Sequence, residues 1–309
     1  MANQTKSEVF TSNHKSYIDS APHCFWPMQP KISEADFVLL GAPMDETTLT
    51  RPGSSCAPNA IRASLINFDS YSERAELDLE DVKIHDLGDV FVVHCNVNQT
   101  LKRIELLVRD LVKASKIPVL IGGEHAITLG SVRALDDIGI LDFDAHMDAR
   151  DQYPYGMKLS HATVMRRITD EIGPNKICQV GVRTYCKEEL EYARSQGFGL
   201  ITANEVNKNG LSVTVKKIKD KLEDFKKIYI TIDIDALDTP YTPGATYPSP
   251  EGITPTMLLD VLAGVVDKRV IGFDLVEVSP PYDVANLTVF NATRIILEGI
   301  ALIQRARSS

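Results

Sequence analysis

The sequence predicts an α/β protein built on a mostly parallel β-sheet with helices on both faces. Apolar runs typical of buried strands alternate with helical patterns about eight times along the chain. Such alternation requires right-handed crossovers, which cover both faces of a parallel sheet with helices. Because the sequence contains neither an internal repeat nor a Gly/Ser-rich linker, we expect one domain over residues 34–309, preceded by an irregular arm at residues 1–33. A closed (β/α)8 barrel is the alternative architecture.

Each predicted strand is a short apolar run that ends at glycine, proline or acidic residues. Strands that are buried on both faces are apolar throughout, whereas half-exposed strands alternate between apolar and polar residues. The predicted strands occupy residues 37–43, 82–90, 117–123, 138–143, 176–183, 199–203, 227–238 and 269–278.

The segments between these strands carry apolar residues at helical spacing. In residues 97–115, for example, Leu101, Ile104, Leu107 and Leu111 fall on one face of a helix. The other predicted helices occupy residues 57–65, 127–135, a segment beginning at 161, 187–197, 212–225, 254–266 and 292–306. Gly197 is the expected stop of its helix.

Composition narrows the classes of partner and compartment. The formal net charge is −9 and there is no basic run, which argues against a nucleic-acid partner. No apolar run is long enough to span a membrane, and the polar N-terminus does not resemble a signal peptide. The five cysteines are scattered, without a CxxC spacing, which is typical of free thiols in a reducing compartment. We therefore expect a cytoplasmic protein.

A group of acidic and imidazole side chains follows the strand at 138–143. Asp144 and His146 are two residues apart on an extended segment, so they face the same way, and Asp148 joins them if the chain turns. Ligands of open parallel sheets bind just beyond the carboxyl ends of the strands. A solvated acidic turn is the alternative interpretation, but an imidazole between carboxylates directly behind a buried strand favours a metal site.

Two further segments can complete this site. Asp233 and Asp235 end the strand at 227–238, and carboxylates on one strand face repel each other unless cations neutralise them. His125 follows Gly122 and Gly123, which allow a close approach of the backbone to a ligand. Taken alone, His125 is more often a hydrogen-bonded polar residue than a ligand.

Together the three segments offer four carboxylates and two imidazoles, and two divalent cations would balance the four carboxylates. An oxygen-rich donor set without thiolate indicates Mn²⁺, with Fe, Co, Ni or Zn as alternatives. Paired metals about 3.5–4 Å apart can share one water molecule and lower its pKa towards about 7. The predicted chemistry is therefore hydrolysis.

Two more residues are candidates for substrate chemistry. His161 begins a helix after the loop that leaves the metal segment, and an imidazole can carry a proton to a leaving amine. Glu277 ends the last strand, where a carboxylate can hold a planar cation in bidentate fashion. A solvent-facing helix-terminal histidine and an edge salt bridge are the respective alternatives.

Four segments carry a resemblance to a known family. In chain order they are GGEHAITLG, DFDAHMDARDQYPYGMKLSHATVMRR, ITIDIDALD and GFDLVEVSPPYD. They resemble the arginase/agmatinase (ureohydrolase) family, and the similarity runs from about Val38 through the closing helix. The resemblance implies a three-layer αβα sandwich with an eight-stranded mostly parallel sheet, two Mn²⁺ ions per subunit, and a homo-oligomer, either trimer or hexamer.

The resemblance also implies a role for each candidate residue, namely bridging metal ligand, ligand to one metal, or contact to substrate. Asp144 and Asp233 would bridge the two metals. His125 and Asp148 would complete the ligands of one metal, and His146 and Asp235 those of the second. His161 would transfer a proton, and Glu277 would orient the guanidinium.

The expected reaction is hydrolysis of a small cationic guanidino compound to urea and an amine. Agmatine, which would give putrescine, is favoured because the loop before His161 lacks the Asn and the His-Gly-Gln-Pro run of arginases. Guanidinobutyrate, arginine and formiminoglutamate are alternative substrates, and the last two need a carboxylate-binding cation, for which Arg150 and Arg183 are candidates. The alternative outside enzymes is a scaffold protein that binds metal but catalyses no reaction.

Several positions depart from the common family pattern. Glu124 stands where Asp is commoner, and Ala162 stands where many members carry Gly. Thr246 and Tyr247 occupy positions that are often small, and Glu251 one that is often Gly. We expect these departures to change the shape of the pocket rather than the metal ligands.

Overall fold

The computed structural model of the chain describes residues 9–10, 14–19 and 29–308. Its strands are β1 (Ile18–Asp19), β2 (Phe37–Ala42), β3 (Tyr71–Ser72), β4 (Leu77–Asp78), β5 (Ile84–Val90), β6 (Ile117–Gly122), β7 (Gly139–Phe143), β8 (Ile177–Val182), β9 (Gly199–Thr202), β10 (Ile228–Asp233) and β11 (Val270–Val276). Its helices are α1 (Ala57–Ser64), α2 (Val97–Lys113), α3 (Ile127–Arg133), α4 (Val164–Ile172), α5 (Lys187–Ser195), α6 (Ala203–Lys221), α7 (Pro255–Val265) and α8 (Leu287–Ser308).

One nine-stranded sheet, in the order β1-β5-β2-β6-β11-β10-β7-β8-β9, organises the described chain. Every neighbouring pair is parallel except β1 and β5, which are antiparallel. The predicted eight parallel strands are therefore confirmed, and β1 adds a short ninth strand at one edge. Within the described residues the two edge strands do not pair with each other, so the sheet is open and the barrel alternative is wrong.

Alternate residues of the central strands pack into two separate cores, one on each face of the sheet. Along β2, Phe37 and Leu39 belong to one core and Val38 and Leu40 to the other. The first core is completed by α1, α6, α7 and α8, and the second by α2, α3 and α4. Continuous apolar strands are what two buried faces require, so the three-layer sandwich is confirmed.

Some element boundaries differ from the predictions. Helix α6 begins at Ala203 rather than 212, because the Thr202 hydroxyl accepts from Glu205 N and the Glu205 carboxylate accepts from Thr202 N. Gly210, with φ of 74°, kinks helix α6 between its N-terminal part, which was not predicted, and the predicted part from residue 212. Helix α8 begins at Leu287 rather than 292, and the Asp283 carboxylate accepts hydrogen bonds from the backbone of its first turn.

The predicted irregular arm contains more order than expected. A 3₁₀ helix at His14–Tyr17 leads into β1, whose Ile18 pairs with Val90 of β5. The only tryptophan, Trp26, belongs to the predicted arm and lies outside the described residues. The small antiparallel pair β3–β4 was also not predicted. The division into residues 1–33 and 34–309 stays a prediction.

Helix α8 is the one described helix that is long and apolar enough, by length and composition, to cross a membrane. Of its most apolar window, 72% is buried inside the protein. Burial of this kind is typical of a core helix, because the apolar side chains already have protein partners.

Candidate metal centre and active site

The candidate site lies at the carboxyl ends of four adjacent central strands. In the sheet these strands stand in the order β6-β11-β10-β7. His125 follows β6, Glu277 follows β11, Asp233 ends β10, and Asp144 follows β7. Parallel strands bring these residues from four distant parts of the chain to one edge of the sheet.

The first cluster of ligand-type side chains contains His125, Asp144 and Asp148, and all three are buried. The Nδ1 atom of His125 lies 3.2 Å from an oxygen of Asp144 and 3.1 Å from an oxygen of Asp148. It also lies 3.6 Å from Asp233 Oδ2. One ring nitrogen is thus surrounded by three carboxylates.

The second cluster contains Asp144, His146 and Asp235. The Nδ1 atom of His146 lies 3.1 Å from Asp235 Oδ2 and 3.5 Å from Asp144 Oδ1. Asp144 therefore belongs to both clusters, with one oxygen directed to each histidine. Asp233 is linked to the second cluster through its Oδ1, which accepts a 2.8 Å hydrogen bond from Asp235 N.

Both histidines present Nδ1 to the carboxylates and Nε2 to a hydroxyl group. His125 Nε2 lies 3.0 Å from Thr231 Oγ1, and Thr231 donates its hydroxyl hydrogen to the buried Asp274. His146 Nε2 lies 3.2 Å from Ser249 Oγ. A hydroxyl that donates elsewhere accepts from Nε2–H, so the Nδ1 lone pair of neutral His125 faces three carboxylates. That arrangement is repulsive unless Nδ1 is protonated or a cation lies between Nδ1 and the carboxylates.

The charges of the site also fit divalent cations. Burial and the neighbouring carboxylates raise the pKa of Asp148 to about 7 and the pKa of Asp233 well above its ordinary value. Burial would lower the pKa of His125 and His146, but carboxylate partners raise it well above the ordinary value. The buried Oδ2 of Asp144 also lacks a hydrogen bond of acceptable geometry within the described residues. These raised pKa values indicate an excess of negative charge in the clusters, which divalent cations would balance.

Glu277 lies beside the clusters in a strained conformation. Its φ is +65°, in the left-handed region that non-glycine residues rarely adopt, and Asp148 has φ of +47°. Backbone hydrogen bonds from Glu277 N to Gly123 O (2.9 Å) and from Thr246 N to Glu277 O (3.0 Å) hold the turn. The Glu277 carboxylate accepts hydrogen bonds from His125 N and from the Thr246 hydroxyl.

His161 begins a 3₁₀ turn that precedes α4, as the sequence predicted. Thr47 fixes its position, because Thr47 Oγ1 accepts from His161 N at 3.1 Å and lies 3.2 Å from His161 Nδ1. Glu124 in turn holds Thr47, whose backbone N–H donates to Glu124 Oε2 at 2.7 Å. Burial, followed by the nearby imidazolium groups, lowers the pKa of His161 to about 4.

The cleft over these residues has two connected lobes. The inner lobe, of about 290 Å³ including its open part, contains Glu277 and the inner carboxylates. It is lined by Thr48, Thr50, Asp148, His161, Asp233, Asp235, Thr246, Tyr247 and Glu277. The outer lobe, of about 460 Å³ including its open mouth, is lined by His146, Asp148, Arg150, Tyr153, His161, Ala162, Thr184, Glu189 and Tyr247. Asp148, His161 and Tyr247 border both lobes.

The two arginines that the sequence singled out have different surroundings. Arg183 donates its N–H groups to backbone carbonyls, among them Asp235 O at 2.7 Å and Ser249 O at 2.7 Å. It therefore clamps the loop that carries these residues and is not available to a substrate. Arg150 lines the outer lobe, and its side chain is 40% exposed.

The structure brings all eight predicted site residues to this one region of the molecule. The departures at Glu124, Thr246 and Tyr247 also contact the site, whereas Glu251 is exposed on a turn with φ of +66°. The positive φ at Glu251 explains why glycine suits this position.

Sequence reasoning missed several residues that support the site. Asp274 had a visible signal, because a carboxylate inside an apolar strand needs a polar partner. Thr47, Thr231 and Ser249 had none, since hydroxyl residues are common in strands and loops. Asp142 and Gln179 form a further buried pair, with a 2.8 Å hydrogen bond, below Asp144.

Known proteins resemble this chain over most of its length. A family model described as Arginase family matches residues 35–301. The agmatinase of Bacillus anthracis is 36% identical over 280 residues, which cover 89% of this chain and 94% of that protein. The mitochondrial guanidino acid hydrolase of Homo sapiens is 32% identical over 288 residues, which cover 90% and 81% of the two proteins.

A solved structure is similar at the level of the fold. The agmatine ureohydrolase of Thermoplasma volcanium superimposes with a TM-score of 0.83 at 33% identity, covering 90% of this chain and 93% of that one. The family match includes all four strand ends that carry the candidate site.

Proposed function

This chain belongs to the arginase family, and we propose that it hydrolyses a small linear guanidino compound to urea and an amine. One observation carries the proposal. The buried Asp144 contacts both clusters of ligand-type side chains, and these clusters open into a cleft whose inner lobe contains the Glu277 carboxylate. A carboxylate there suits a guanidinium group.

The reaction adds one water molecule across a carbon–nitrogen bond. The water oxygen bonds to the guanidino carbon, and the bond from that carbon to the alkyl-bearing nitrogen breaks. A guanidinium cation and water thereby give urea and an alkylammonium ion, so atoms and charge balance.

Six residues would hold two divalent cations, with Asp144 and Asp233 shared between them. These residues are His125, Asp144, His146, Asp148, Asp233 and Asp235. The proposed metal is Mn²⁺, which the oxygen-rich donor set supports. When bound, such a pair lowers the pKa of water and makes hydroxide available at neutral pH.

Glu277 would bind and orient the guanidinium. Burial raises the pKa of Glu277 to about 8, and a cation beside it would favour the carboxylate form. The hydrogen bonds from His125 N and the Thr246 hydroxyl fix the plane of this carboxylate. Fixed orientation removes part of the entropic barrier to attack on the guanidino carbon.

His161 would move the proton. With its pKa lowered to about 4, it is neutral at pH 7 and can accept a proton from the nucleophilic water. It can then return that proton to the departing nitrogen. Because Nδ1 faces Thr47, Nε2 is the nitrogen left for this exchange.

Agmatine is the substrate that the sequence resemblance favours, and its products would be putrescine and urea. A guanidino acid is a second candidate, favoured by the position of Arg150 in the outer lobe. A metal-binding scaffold without turnover is the alternative outside enzymes.

The compartment and the assembly are further proposals. A cytoplasmic location is supported by free thiols at Cys56, Cys95, Cys178 and Cys186, which suit a reducing compartment. A homo-oligomer, trimer or hexamer, follows from the resemblance to the family. Light scattering coupled to gel filtration tests it, and a mass of one chain would contradict it.

Urea release tests the proposed function. Protein loaded with Mn²⁺ is incubated separately with agmatine, guanidinobutyrate and arginine, and urea is quantified. We expect urea from at least one compound and none after treatment with a chelator. No urea from any of them, with two metals bound per chain, would favour the scaffold.

A further inference from the structure

Glu124 is a buried side chain that connects two distant parts of the candidate site. It directly precedes His125, it is 0% exposed, and its backbone N donates to Met44 O at 2.8 Å. Its Oε2 accepts a 2.7 Å hydrogen bond from Thr47 N and lies 3.5 Å from Thr48 Oγ1. Because a buried carboxyl group needs donors, Glu124 and the loop after β2 that carries Thr47 (the β2 loop) fix each other.

The β2 loop in turn orients the ring of His161. Thr47 is buried, its Oγ1 accepts from His161 N at 3.1 Å, and the same oxygen lies 3.2 Å from His161 Nδ1. In the described part of the chain, no other hydrogen bond reaches this ring, and Tyr153 contacts it edge-on, with ring centroids 6.3 Å apart. The direction in which Nε2 points therefore depends on the position of Thr47.

The residues on either side of Glu124 fix Glu277. Gly123 O accepts from Glu277 N at 2.9 Å, and His125 N donates to the Glu277 carboxylate. Three consecutive residues thus hold the carboxylate proposed to bind the guanidinium and, through the β2 loop, the imidazole of His161. The relative position of these two groups is set by one short segment at the end of β6.

On the basis of the proposed function, we propose that Glu124 is a positioning residue for proton transfer, which acts by holding Thr47 and thereby the ring of His161. Proton transfer requires the ring nitrogen within hydrogen-bond reach of the reacting atoms, and small misplacements are costly. Glu124 itself would contact no substrate, since it does not line either lobe of the cleft. Its loss should therefore affect kcat and leave KM, which depends on Glu277, nearly unchanged.

Kinetics of Mn²⁺-loaded variants test this role. In Glu124→Ala we expect kcat for urea release to fall roughly 10- to 100-fold, with KM and metal content near the wild-type values. Glu124→Gln keeps an acceptor oxygen for Thr47 N and should restore most of the rate. Glu298→Ala is the matched control, because Glu298 is 1% exposed and accepts a 2.8 Å hydrogen bond from the Ser72 hydroxyl outside the cleft. Its kcat should stay at the wild-type value.

A double-mutant cycle tests whether Glu124 acts through Thr47. If it does, Glu124→Ala should lower kcat much less in a Thr47→Val background than in the wild type, because the contact to His161 is already lost. Losses that multiply in the double variant would show a separate route and overturn the inference. A fall in metal content that accounts for the whole loss of rate in Glu124→Ala would overturn it as well.

Chemical modification of His161 separates this inference from the proposed function, because it needs no turnover. The rate at which diethylpyrocarbonate modifies His161 is measured by peptide mass spectrometry on the Mn²⁺-loaded protein. We expect it to rise roughly 5- to 30-fold in Glu124→Ala and in Thr47→Val, the effect of losing one buried hydrogen bond, and to stay unchanged in Glu298→Ala. Such a rise supports the positioning of the ring even if the wild type releases no urea. An unchanged rate in Glu124→Ala overturns the inference even if urea is released.

Discussion

At the scale of single residues, Asp144 joins the two halves of the candidate metal centre. Its two oxygens lie 3.2 Å from His125 Nδ1 and 3.5 Å from His146 Nδ1. Burial raises the pKa of a carboxyl group, but the two neighbouring imidazoles outweigh burial here and lower the pKa of Asp144. An ionised carboxylate that faces both clusters has the chemistry expected of a bridging ligand.

Asp233 is the second proposed bridge, and its removal tests that role. Asp233→Ala should abolish urea release and lower the metal content below two ions per chain, because one shared carboxylate is lost. Metal is measured by inductively coupled plasma mass spectrometry after dialysis. Asp238→Ala is the control, since among the described residues its carboxylate accepts a single hydrogen bond, the turn bond from Thr239 N. Two retained metals in Asp233→Ala would contradict the bridging role.

His161 is the proposed carrier of the proton. His161→Ala should reduce kcat by roughly 10²–10³, the usual contribution of general acid–base catalysis, while metal content stays at the wild-type level. Thr47→Val removes the hydroxyl that orients the ring and should give a smaller loss of kcat with little change in KM. Steady-state kinetics measures both. A wild-type rate in His161→Ala would show that another group transfers the proton.

At the scale of elements, the site depends on how four neighbouring strands end. Strand β6 ends at glycines that let the β2 loop approach, and its Gly123 contacts both neighbours. Gly123 N donates to Ala42 O, and Gly123 O accepts from Glu277 N, each at 2.9 Å. A single residue therefore connects the β2 loop, which carries Thr47, to the turn that carries Glu277.

Replacing Gly123 tests this connection. In Gly123→Ala the new Cβ would lie 1.9 Å from the Met44 carbonyl oxygen, a backbone atom that can move only with its loop. We expect a loss of about 2–3 kcal/mol in the free energy of unfolding and a lower kcat. Urea denaturation measures the first.

Gly264→Ala is the control for that experiment. Gly264 lies in helix α7, and the new Cβ would lie 2.7 Å from the side chain of Val215 in helix α6. Because alanine favours a helix over glycine by about 1 kcal/mol, the clash is partly offset and the net change should be within about 1 kcal/mol. Equal losses in the two variants would refute the special role of Gly123.

At the scale of the whole molecule, strand order decides where the chemistry is. The sequence order of the four strands is β6, β7, β10, β11, whereas their order across the sheet is β6-β11-β10-β7. The crossovers bring β11 between β6 and β10, so the Glu277 turn lies next to His125. The buried carboxylates then lie together at the carboxyl ends of central strands rather than of the outermost strands.

This concentration of charge couples stability to pH and to metal. In the metal-free protein the pKa values of His125, His146, Asp148 and Asp233 lie above their ordinary values. Raised folded-state pKa values give stability that is present at low pH and is lost as the pH rises through those values. Bound divalent cations would replace the protons, and their affinity would increase with pH.

The difference in Tm between protein in Mn²⁺ and protein in chelator should therefore grow from pH 6 to pH 8.5. Differential scanning calorimetry at fixed metal concentration measures it. Metal loading near pH 7 should also release protons, seen as a buffer-dependent enthalpy in calorimetric titration. A difference in Tm that is constant over this pH range would refute the coupling.

The sequence by itself determined the order of the elements and the identity of the six ligand-type side chains. Strands buried on both faces must be apolar throughout, and parallel strands must alternate with helices. Both patterns can therefore be recognised in short stretches of the sequence. Asp144, His146 and Asp148 were visible because charged residues directly after a buried strand need a partner. Glu124 and Arg150 were visible as residues, but their contacts were not.

Only the tertiary structure decided which side chains meet. Thr47 lies 114 residues before His161, and nothing in either segment predicts their contact. Arg150 and Arg183 looked equivalent in sequence. In the structure Arg183 donates hydrogen bonds to backbone carbonyls, whereas Arg150 faces the cleft. Short stretches of sequence encode hydrogen-bonding capacity, whereas the partner that satisfies it is set by strand order and loop packing across the whole chain.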